Sequence, residues 1–198
     1  MSVAKRTYRM TARADSALVT AERILDAAIG LFWEQPTDQI SLTEVARRAG
    51  VTKQTVLRRF DSKAGLMAAA AARAGQRTSA ERDDVAPGDL VRAVHLLVAH
   101  YERLGDGVLR LLAEEERNPG LREIAGRGRA YHARWCERVF APALEGLRGV
   151  DRDRRLATFV AVTDVYTWKL LRRDRGLGRA QAETAIRELL EPIMGGPR

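Results

Sequence analysis

The residues with the clearest chemistry in this sequence lie between positions 41 and 63. This stretch holds six basic side chains and two acidic ones, Glu44 and Asp61, so its net charge of +4 is half of the +8 of the whole chain. Lysine and arginine neutralise phosphates, and the same side chains together with glutamine can hydrogen-bond to base edges in the major groove. The stretch therefore points to nucleic acid. Two amphipathic helices with solvated basic faces are the alternative interpretation.

Two short helices separated by a glycine turn are predicted to position these side chains. Ser41 and Glu44 have the spacing of a capping box at the start of the first helix. That helix is expected to end at Gly50, because glycine takes a left-handed conformation at the lowest cost. Thr52 can cap a second helix that runs to about Arg59. Two helices joined in this way form a helix-turn-helix, whose second helix enters the major groove of DNA.

The outward face of the second helix supplies the candidate DNA-binding residues. Glutamine can read adenine, lysine and arginine can read guanine, and threonine can touch the thymine methyl group. The helix N-termini at Thr43 and Lys63 add backbone donors for phosphates. The candidates on the outward face are Thr52, Lys53, Gln54, Thr55, Arg58 and Arg59.

These segments resemble the TetR family of transcriptional regulators. The resemblance is carried by residues 23–32 (RILDAAIGLF), 40–46 (ISLTEVA) and 49–63 (AGVTKQTVLRRFDSK), and residues 165–177 resemble the C-terminal region of many actinobacterial members. It implies a homodimeric repressor with an all-helical ligand-binding domain. It also implies that Thr43 contacts phosphate, that Leu57 lies on or beside the groove, and that Lys63 holds the backbone at the start of the next helix.

The rest of the chain predicts an all-α fold of about nine helices, because apolar residues recur at a spacing of three to four. We expect a basic flexible arm at 1–19, a helix-turn-helix DNA-binding domain with three helices at 20–68, and a C-terminal helical bundle for ligand binding and dimerisation at 69–198. The arm could reach the minor groove or be a frayed terminus. The predicted helices beyond the third cover about 63–78, 89–104, 108–117, 121–140, 154–173 and 179–194.

The helix predicted at 154–173 is apolar around much of its circumference, so it must be covered from more than one side. One side can pack in its own bundle and the other on a second copy, with the last helix completing the interface. A fully buried helix in a monomer is the alternative. The candidate dimer residues are Val162, Tyr166, Leu170, Ile186, Leu189 and Leu190.

Aromatic and hydrogen-bonding residues of the C-terminal half could line a cavity for a small-molecule effector. Aromatic residues at helical spacing also form ordinary cores. Cys136 could sense oxidants or electrophiles, or could be a small buried hydrophobic residue. The candidate ligand-binding residues are His100, Tyr101, Tyr131, Trp135, Phe159 and Thr163.

Several protein classes are excluded by what the sequence contains. A single cysteine, Cys136, excludes a disulfide framework and a zinc site made of cysteines. The sequence shows neither an apolar run of membrane-spanning length nor a readable signal peptide, so we expect a cytoplasmic protein that does not bind membranes. Common phosphate-loop, hydrolase and metalloprotease motifs are absent, and His95 and His100 diverge on a helix. We therefore expect no enzyme, cofactor or metal.

The functional hypothesis is a dimeric repressor that holds a palindromic double-stranded DNA operator and is released by a small-molecule ligand. The alternative is a DNA-binding or architectural protein-interaction module without ligand gating. An enzyme with an unrecognised helical active site is a third hypothesis.

Overall fold

The computed structural model describes the backbone of residues 3–195 and the side chains of residues 16–195. Within that part of the chain every regular element is helical, which confirms the predicted all-α class. The chain divides into two compact units, Met1–Ala74 and Gly75–Arg198. The division falls within one helix, whereas the sequence placed it at residues 68–69 of the same helix.

The first unit is built around the three helices predicted for a helix-turn-helix domain. Ile24, Leu31, Val45, Val56 and Leu66 are all at most 2% exposed and form the centre of its core. Apolar residues of four helices thus meet in a single core. The elements are α1 (Val3–Glu34), a 3-10 turn (Thr37–Gln39), α2 (Leu42–Ala49), α3 (Lys53–Phe60) and the first part of α4 (Lys63–Arg82).

Helix α1 begins earlier than the sequence predicted. Its start was expected near Thr20, after a flexible arm, but residues 16–19 already belong to the helix. The side chains of residues 1–15 lie outside the described residues. A contact of the basic arm with DNA therefore stays a prediction.

The second unit is a helical bundle around large aromatic side chains. Trp135, Phe140, Phe159 and Trp168 lie at its centre, and each is at most 2% exposed. Such residues bury much apolar area each, and they dominate the packing energy of a core. The elements are α5 (Leu90–Glu114), α6 (Pro119–Val139), α7 (Ala141–Leu144), α8 (Gly149–Val162), α9 (Val165–Lys169), a π-helical turn (Leu170–Asp174) and α10 (Arg179–Met194).

Two predicted helix boundaries in this unit are wrong. The helices predicted at 89–104 and 108–117 are one continuous helix, α5. The helix predicted at 154–173 begins at Gly149 and breaks after Val162. The break has a polar cause: Thr163 Oγ1 donates to the Phe159 carbonyl at 2.7 Å, and the Asp164 carboxylate caps the next helix by accepting from the Tyr166 N–H at 2.9 Å.

Among the described residues, no helix combines the length and the apolar character that a membrane crossing requires.

Candidate nucleic-acid interface

Local hydrogen bonds fix the turn between α2 and α3. Ser41 Oγ accepts from the Glu44 N–H at 3.1 Å, and Thr52 Oγ1 accepts from the Thr55 N–H at 3.2 Å, so both predicted N-caps form. Gly50 ends α2 with φ = 66°, in the left-handed region where a side chain is strained. The start and end of each helix are thus set by residues within a few positions of it.

Only one of the two hydrogen bonds of the capping box at Ser41 forms, the one from the Glu44 N–H. The Glu44 carboxylate accepts hydrogen bonds from Nε and Nη2 of Arg47, at 2.9 and 2.7 Å, instead of turning back to the Ser41 N–H. The Arg47 guanidinium lowers the pKa of Glu44 through this contact. One of the six basic side chains counted in the sequence is therefore already paired.

The packing of α2 and α3 leaves one face of α3 open to solvent. Val45, Ala46 and Ala49 of α2 and Val56 of α3 are buried. Gln54 and Arg58 lie on the face of α3 opposite Val56, which points into the core, and Lys53 and Arg59 lie on the two sides of the helix between these faces. The exposed candidates are Thr52, Lys53, Gln54, Arg58 and Arg59, with Thr43 exposed on α2.

Three candidates are less accessible than the sequence predicted. Thr55 and Leu57 are half-buried, and Thr55 Oγ1 lies 2.9 Å from Thr52 Oγ1 in a hydrogen bond. Lys63 is also half-buried, and its Nζ donates to the Thr37 carbonyl at 2.9 Å. Lys63 thus holds the loop before α2 in this structure.

The remaining arginines of the region differ in how free they are. Arg48 makes two hydrogen bonds of 2.7 Å to the Glu34 carboxylate. Arg59 Nη2 donates to the Ala17 carbonyl of α1 at 3.1 Å. Among the described residues, Lys53 and Arg58 have no hydrogen bond or ion pair. The donors of this face that are available to a ligand are therefore those of Lys53, Gln54 and Arg58.

The second unit brings most of the candidate ligand-binding residues together in its core. His100, Tyr101, Trp135, Phe159 and Thr163 are buried, whereas Tyr131 is half-buried. The Tyr101 hydroxyl donates to the Thr163 carbonyl at 3.2 Å, which links α5 to the break after α8. Phe159 stacks on Phe140 with ring centroids 4.3 Å apart and serves the apolar core.

Arg82 is a residue of this region that the sequence did not single out. It is only 4% exposed, and its Cζ lies 4.1 Å from the centroid of the Trp135 ring. Its Nη2 donates to His132 Nδ1 at 3.0 Å. Because a guanidinium has no acceptor, His132 Nδ1 must accept and the histidine proton lies on Nε2.

His132 continues the contact into a buried polar chain. Its Nε2 donates to Thr163 Oγ1 at 3.1 Å, and Cys136 Sγ lies 3.3 Å from the same oxygen. Burial, and then the positive charge of Arg82, lower the pKa of His132 to about 3. Burial raises the pKa of the Cys136 thiol to about 11, which disfavours the reactive thiolate and leaves redox sensing without support.

The candidate dimer residues fall into two groups. Tyr166, Leu170 and Leu189 are 53%, 56% and 52% exposed, while Val162 is half-buried. Ile186 and Leu190 are instead at most 1% exposed and belong to the core of their own chain, so the prediction that they form a dimer interface is wrong. On α10, Ile186 and Leu190 lie one turn apart on the inward stripe, and Leu189 lies at the edge of that stripe, where it is exposed.

No group of three or more histidine, cysteine, aspartate or glutamate side chains in the described part of the chain is placed to hold a metal ion.

Comparison with known proteins finds a family model that matches the first unit. Residues 24–70 match the model of bacterial regulatory proteins of the tetR family, which confirms the resemblance drawn from the sequence. No curated protein matches the chain.

Solved structures share the fold over most of the chain at low identity. A TetR-family transcriptional regulator from Rhodococcus sp. is 19% identical with a TM-score of 0.68, and covers 89% of this chain and 99% of its own. FadR from Bacillus subtilis, solved with stearoyl-CoA, is 16% identical with a TM-score of 0.60, and covers 89% and 99%. SCO7518 from Streptomyces coelicolor A3(2), a transcriptional regulator, is 22% identical with a TM-score of 0.56, and covers 86% and 97%.

Proposed function

Residues 24–70 of this chain belong to the tetR family of bacterial regulatory proteins, and from this premise we propose that the protein is a ligand-released repressor that binds its operator as a homodimer. The observation that carries the proposal is the exposed face of α3, where Lys53, Gln54 and Arg58 have no hydrogen-bonding partner among the described residues. A bacterial regulator that binds DNA works in the cytoplasm.

The proposal assigns different roles to the residues of α3. The N-terminal residues of a recognition helix contact base edges, so Lys53 and Gln54 specify the sequence. Arg58 lies one turn further along and binds a phosphate, with Thr43 as a second phosphate contact from α2. Arg59 would have to leave the Ala17 carbonyl, and Lys63 the Thr37 carbonyl, before either could bind DNA. We therefore assign these two residues a secondary part.

Dimerisation is supported by exposed apolar side chains on the second unit. Tyr166 and Leu170 follow the break after α8, and Leu189 lies on α10, which packs against the π-helical turn. Large apolar side chains grouped on a surface are typical of an interaction site. A two-fold dimer would place two recognition helices in successive major grooves, about 34–36 Å apart, and would require a palindromic operator.

Release by a ligand is supported by the buried polar groups in the core of the second unit. Bundle cores are common sites for small molecules, and FadR, which shares the fold, was solved with stearoyl-CoA. A ligand lowers operator affinity only if it binds one conformation of the protein better than the other. Helix α4 includes the division between the two units and is the element through which we expect that preference to act.

Selection of bound duplexes from a random library, read by sequencing at about 150 mM salt, tests the function. A specific regulator is expected to enrich one palindrome and to prefer it to random DNA by about 10³-fold or more. Gln54→Ala is expected to change the preferred bases within the half-site, because glutamine reads them directly. Recovery of unenriched DNA would instead support a DNA-binding architectural module without sequence preference.

A further inference from the structure

Arg82 is a buried positive charge near the C-terminal end of α4. Its side chain is nine-tenths or more buried, since the residue is 4% exposed. An arginine stays protonated in proteins, so it cannot escape the cost of burial by losing its charge. A buried charge normally has an opposite charge beside it, because desolvation is expensive. The groups around Arg82 therefore decide whether its charge is compensated.

The carboxylates next to Arg82 in the sequence have other partners. Glu81 pairs with Arg103, and Asp84 pairs with Arg92. The Asp83 carboxylate accepts from the Tyr131 hydroxyl at 3.0 Å and from Arg138 at 3.3 Å. None of the three forms an ion pair with Arg82.

The carboxylate of Asp164 is also engaged. It caps α9 by accepting from the Tyr166 N–H at 2.9 Å. Within the described residues, then, no carboxylate is hydrogen-bonded to Arg82. Its neighbours are the neutral His132 ring and the faces of the Trp135 and Tyr131 rings, whose centroids lie 4.1 and 5.5 Å from Arg82 Cζ.

Two buried polar atoms in this region lack a hydrogen-bonding partner. They are Nε of Arg82 and Nδ1 of His100, and His100 is 7% exposed. Unpaired buried polar atoms are rare in folded proteins because each costs about 1–3 kcal/mol. Both residues lie next to the Glu81–Arg103 ion pair, since Arg82 follows Glu81 and Arg103 lies one turn after His100 on α5. Burial, and then the charge of Arg82, lower the pKa of His100 to about 3.

The other buried polar side chains beside Arg82, those of His132 and Thr163, already have hydrogen-bonding partners. His132 bonds to Arg82 on one side and to Thr163 on the other, and the Thr163 hydroxyl donates to the Phe159 carbonyl at 2.7 Å. Both histidines are neutral, so Arg82 is the one charge of the cluster that faces the aromatic core. Arg82 thus lacks an anionic hydrogen-bond acceptor, and the rings beside it provide an apolar environment.

We propose that Arg82 binds the carboxylate group of an organic acid whose apolar part lies among the aromatic side chains beside it. The proposal rests on the proposed function, because it names the chemical class of the effector that releases the repressor. A carboxylate matches the planar fork of a guanidinium and can take two parallel hydrogen bonds from it. Nε of Arg82 supplies the unused donor, and His100 offers a second polar contact.

Matched pairs of acids and primary amides test this assignment without DNA. The probes are octanoate and decanoate, benzoate, phenylacetate and indole-3-acetate, each beside its amide, which has nearly the same shape but no charge. Thermal unfolding of the full chain is followed with each probe. At least one acid is expected to raise the Tm of the native sequence at a concentration where its amide does not.

Two variants separate the role of Arg82 from a general effect of charge. In Arg82→Gln, Kd for that acid is expected to rise by about tenfold or more, and the preference over the amide to disappear, because one charge-assisted contact is lost. Arg127→Gln is the matched control, since Arg127 is exposed on α6 and pairs only with Glu123 in the described structure. It is expected to retain the preference. Arg82→Lys keeps the charge, so it should still prefer the acid if the glutamine variant does not fold.

The comparison of each acid with its amide on the native sequence tests the carboxylate assignment even if neither Arg82 variant folds. If no acid raises the Tm more than its amide, or if Arg82→Gln keeps the full preference, the carboxylate assignment is overturned. Operator selection is scored separately. An enriched operator without an acid effect would leave the repressor proposal standing and remove this one, whereas acid binding without any operator would remove the repressor.

Discussion

Gly105 lies against the indole ring of Trp168 so closely that a Cβ atom at position 105 would be 2.4 Å from Cζ3 of the ring. Trp168 is fully buried, and its Nε1 donates to the Glu102 carboxylate at 2.9 Å. The same carboxylate accepts from Nε and Nη2 of Arg172, at 2.6 and 2.8 Å. The packing of α9 on α5 thus depends on the absence of a side chain at position 105.

Gly105→Ala is therefore expected to destabilise the protein. The added methyl group must displace a buried ring that is held by hydrogen bonds, and overpacking of this kind costs about 1–3 kcal/mol of unfolding free energy. Urea denaturation followed by circular dichroism measures the change.

The matched control is Gly126→Ala on α6, where an added Cβ meets nothing within 4 Å. In a helix that substitution is expected to stabilise by about 0.5–1 kcal/mol. If both alanine variants changed the unfolding free energy equally, the close contact at Gly105 would be disproved.

The same glycine explains one failure of prediction from sequence. The helices predicted at 89–104 and 108–117 leave a gap at 105–107, which contains Gly105 and Gly107, and glycine has a low helix propensity. The structure keeps α5 continuous through both, since the contact with Trp168, more than 60 residues further along the chain, needs a glycine there. A local pattern contains no information about such a partner.

The helix-turn-helix could be predicted because its determinants are local. The caps at Ser41 and Thr52 and the left-handed turn at Gly50 each act within a few residues. Arg82 could not be found in the same way. Arginine is usually a surface residue, and the burial of Arg82 arises from His132 and Trp135, about 50 residues away.

The candidate dimer residues could be predicted only in part. Helix α10 carries apolar residues on more than one side, so its sequence indicates burial without telling which stripe faces the core of its own chain. The structure assigns Ile186 and Leu190 to that core and leaves Leu189 exposed.

Arg58→Ala is expected to weaken operator binding at every sequence and to reduce the salt dependence. If Arg58 neutralises one phosphate, the slope of log Kobs against log salt concentration falls in magnitude by about 1. Fluorescence anisotropy with the selected operator at several salt concentrations measures the slope. Arg127→Ala, which changes the net charge by the same amount in the second unit, should leave the slope unchanged. An unaltered slope in Arg58→Ala would remove this residue from the phosphate contacts.

Leu170→Glu is expected to convert a dimer into a monomer. Leu170 is 56% exposed beside Tyr166, and a charge at the centre of an apolar interface has no partner after association. Light scattering coupled to size-exclusion chromatography measures the mass in solution. Val150→Glu places the same charge at another exposed apolar residue, outside the proposed interface, and should leave the mass unchanged. A monomeric native chain, or a dimeric Leu170→Glu variant, would contradict the proposed interface.

Mild acid is expected to destabilise the second unit through its buried histidines. Burial and then the charge of Arg82 lower the pKa of His100 and of His132 to about 3, whereas a histidine in an unfolded chain has a pKa near 6.5. Between these two pKa values the unfolded state therefore binds protons that the folded state does not bind. The stability contributed by each neutral histidine is complete above pH 6.5 and is lost as the pH falls from 6.5 towards 3.

The loss amounts to about 1.4 kcal/mol per pH unit for each histidine in this window. Urea denaturation between pH 7 and 5 measures it. Glu102, whose pKa the contacts with Arg172 and Trp168 hold at about 2, contributes stability that is lost only as the pH falls from 4.5 towards 2, below the range used. His132→Asn, which keeps an acceptor for Arg82, should reduce the slope by about one proton. If His132→Asn leaves the slope of unfolding free energy against pH unchanged, His132 is protonated in the folded protein.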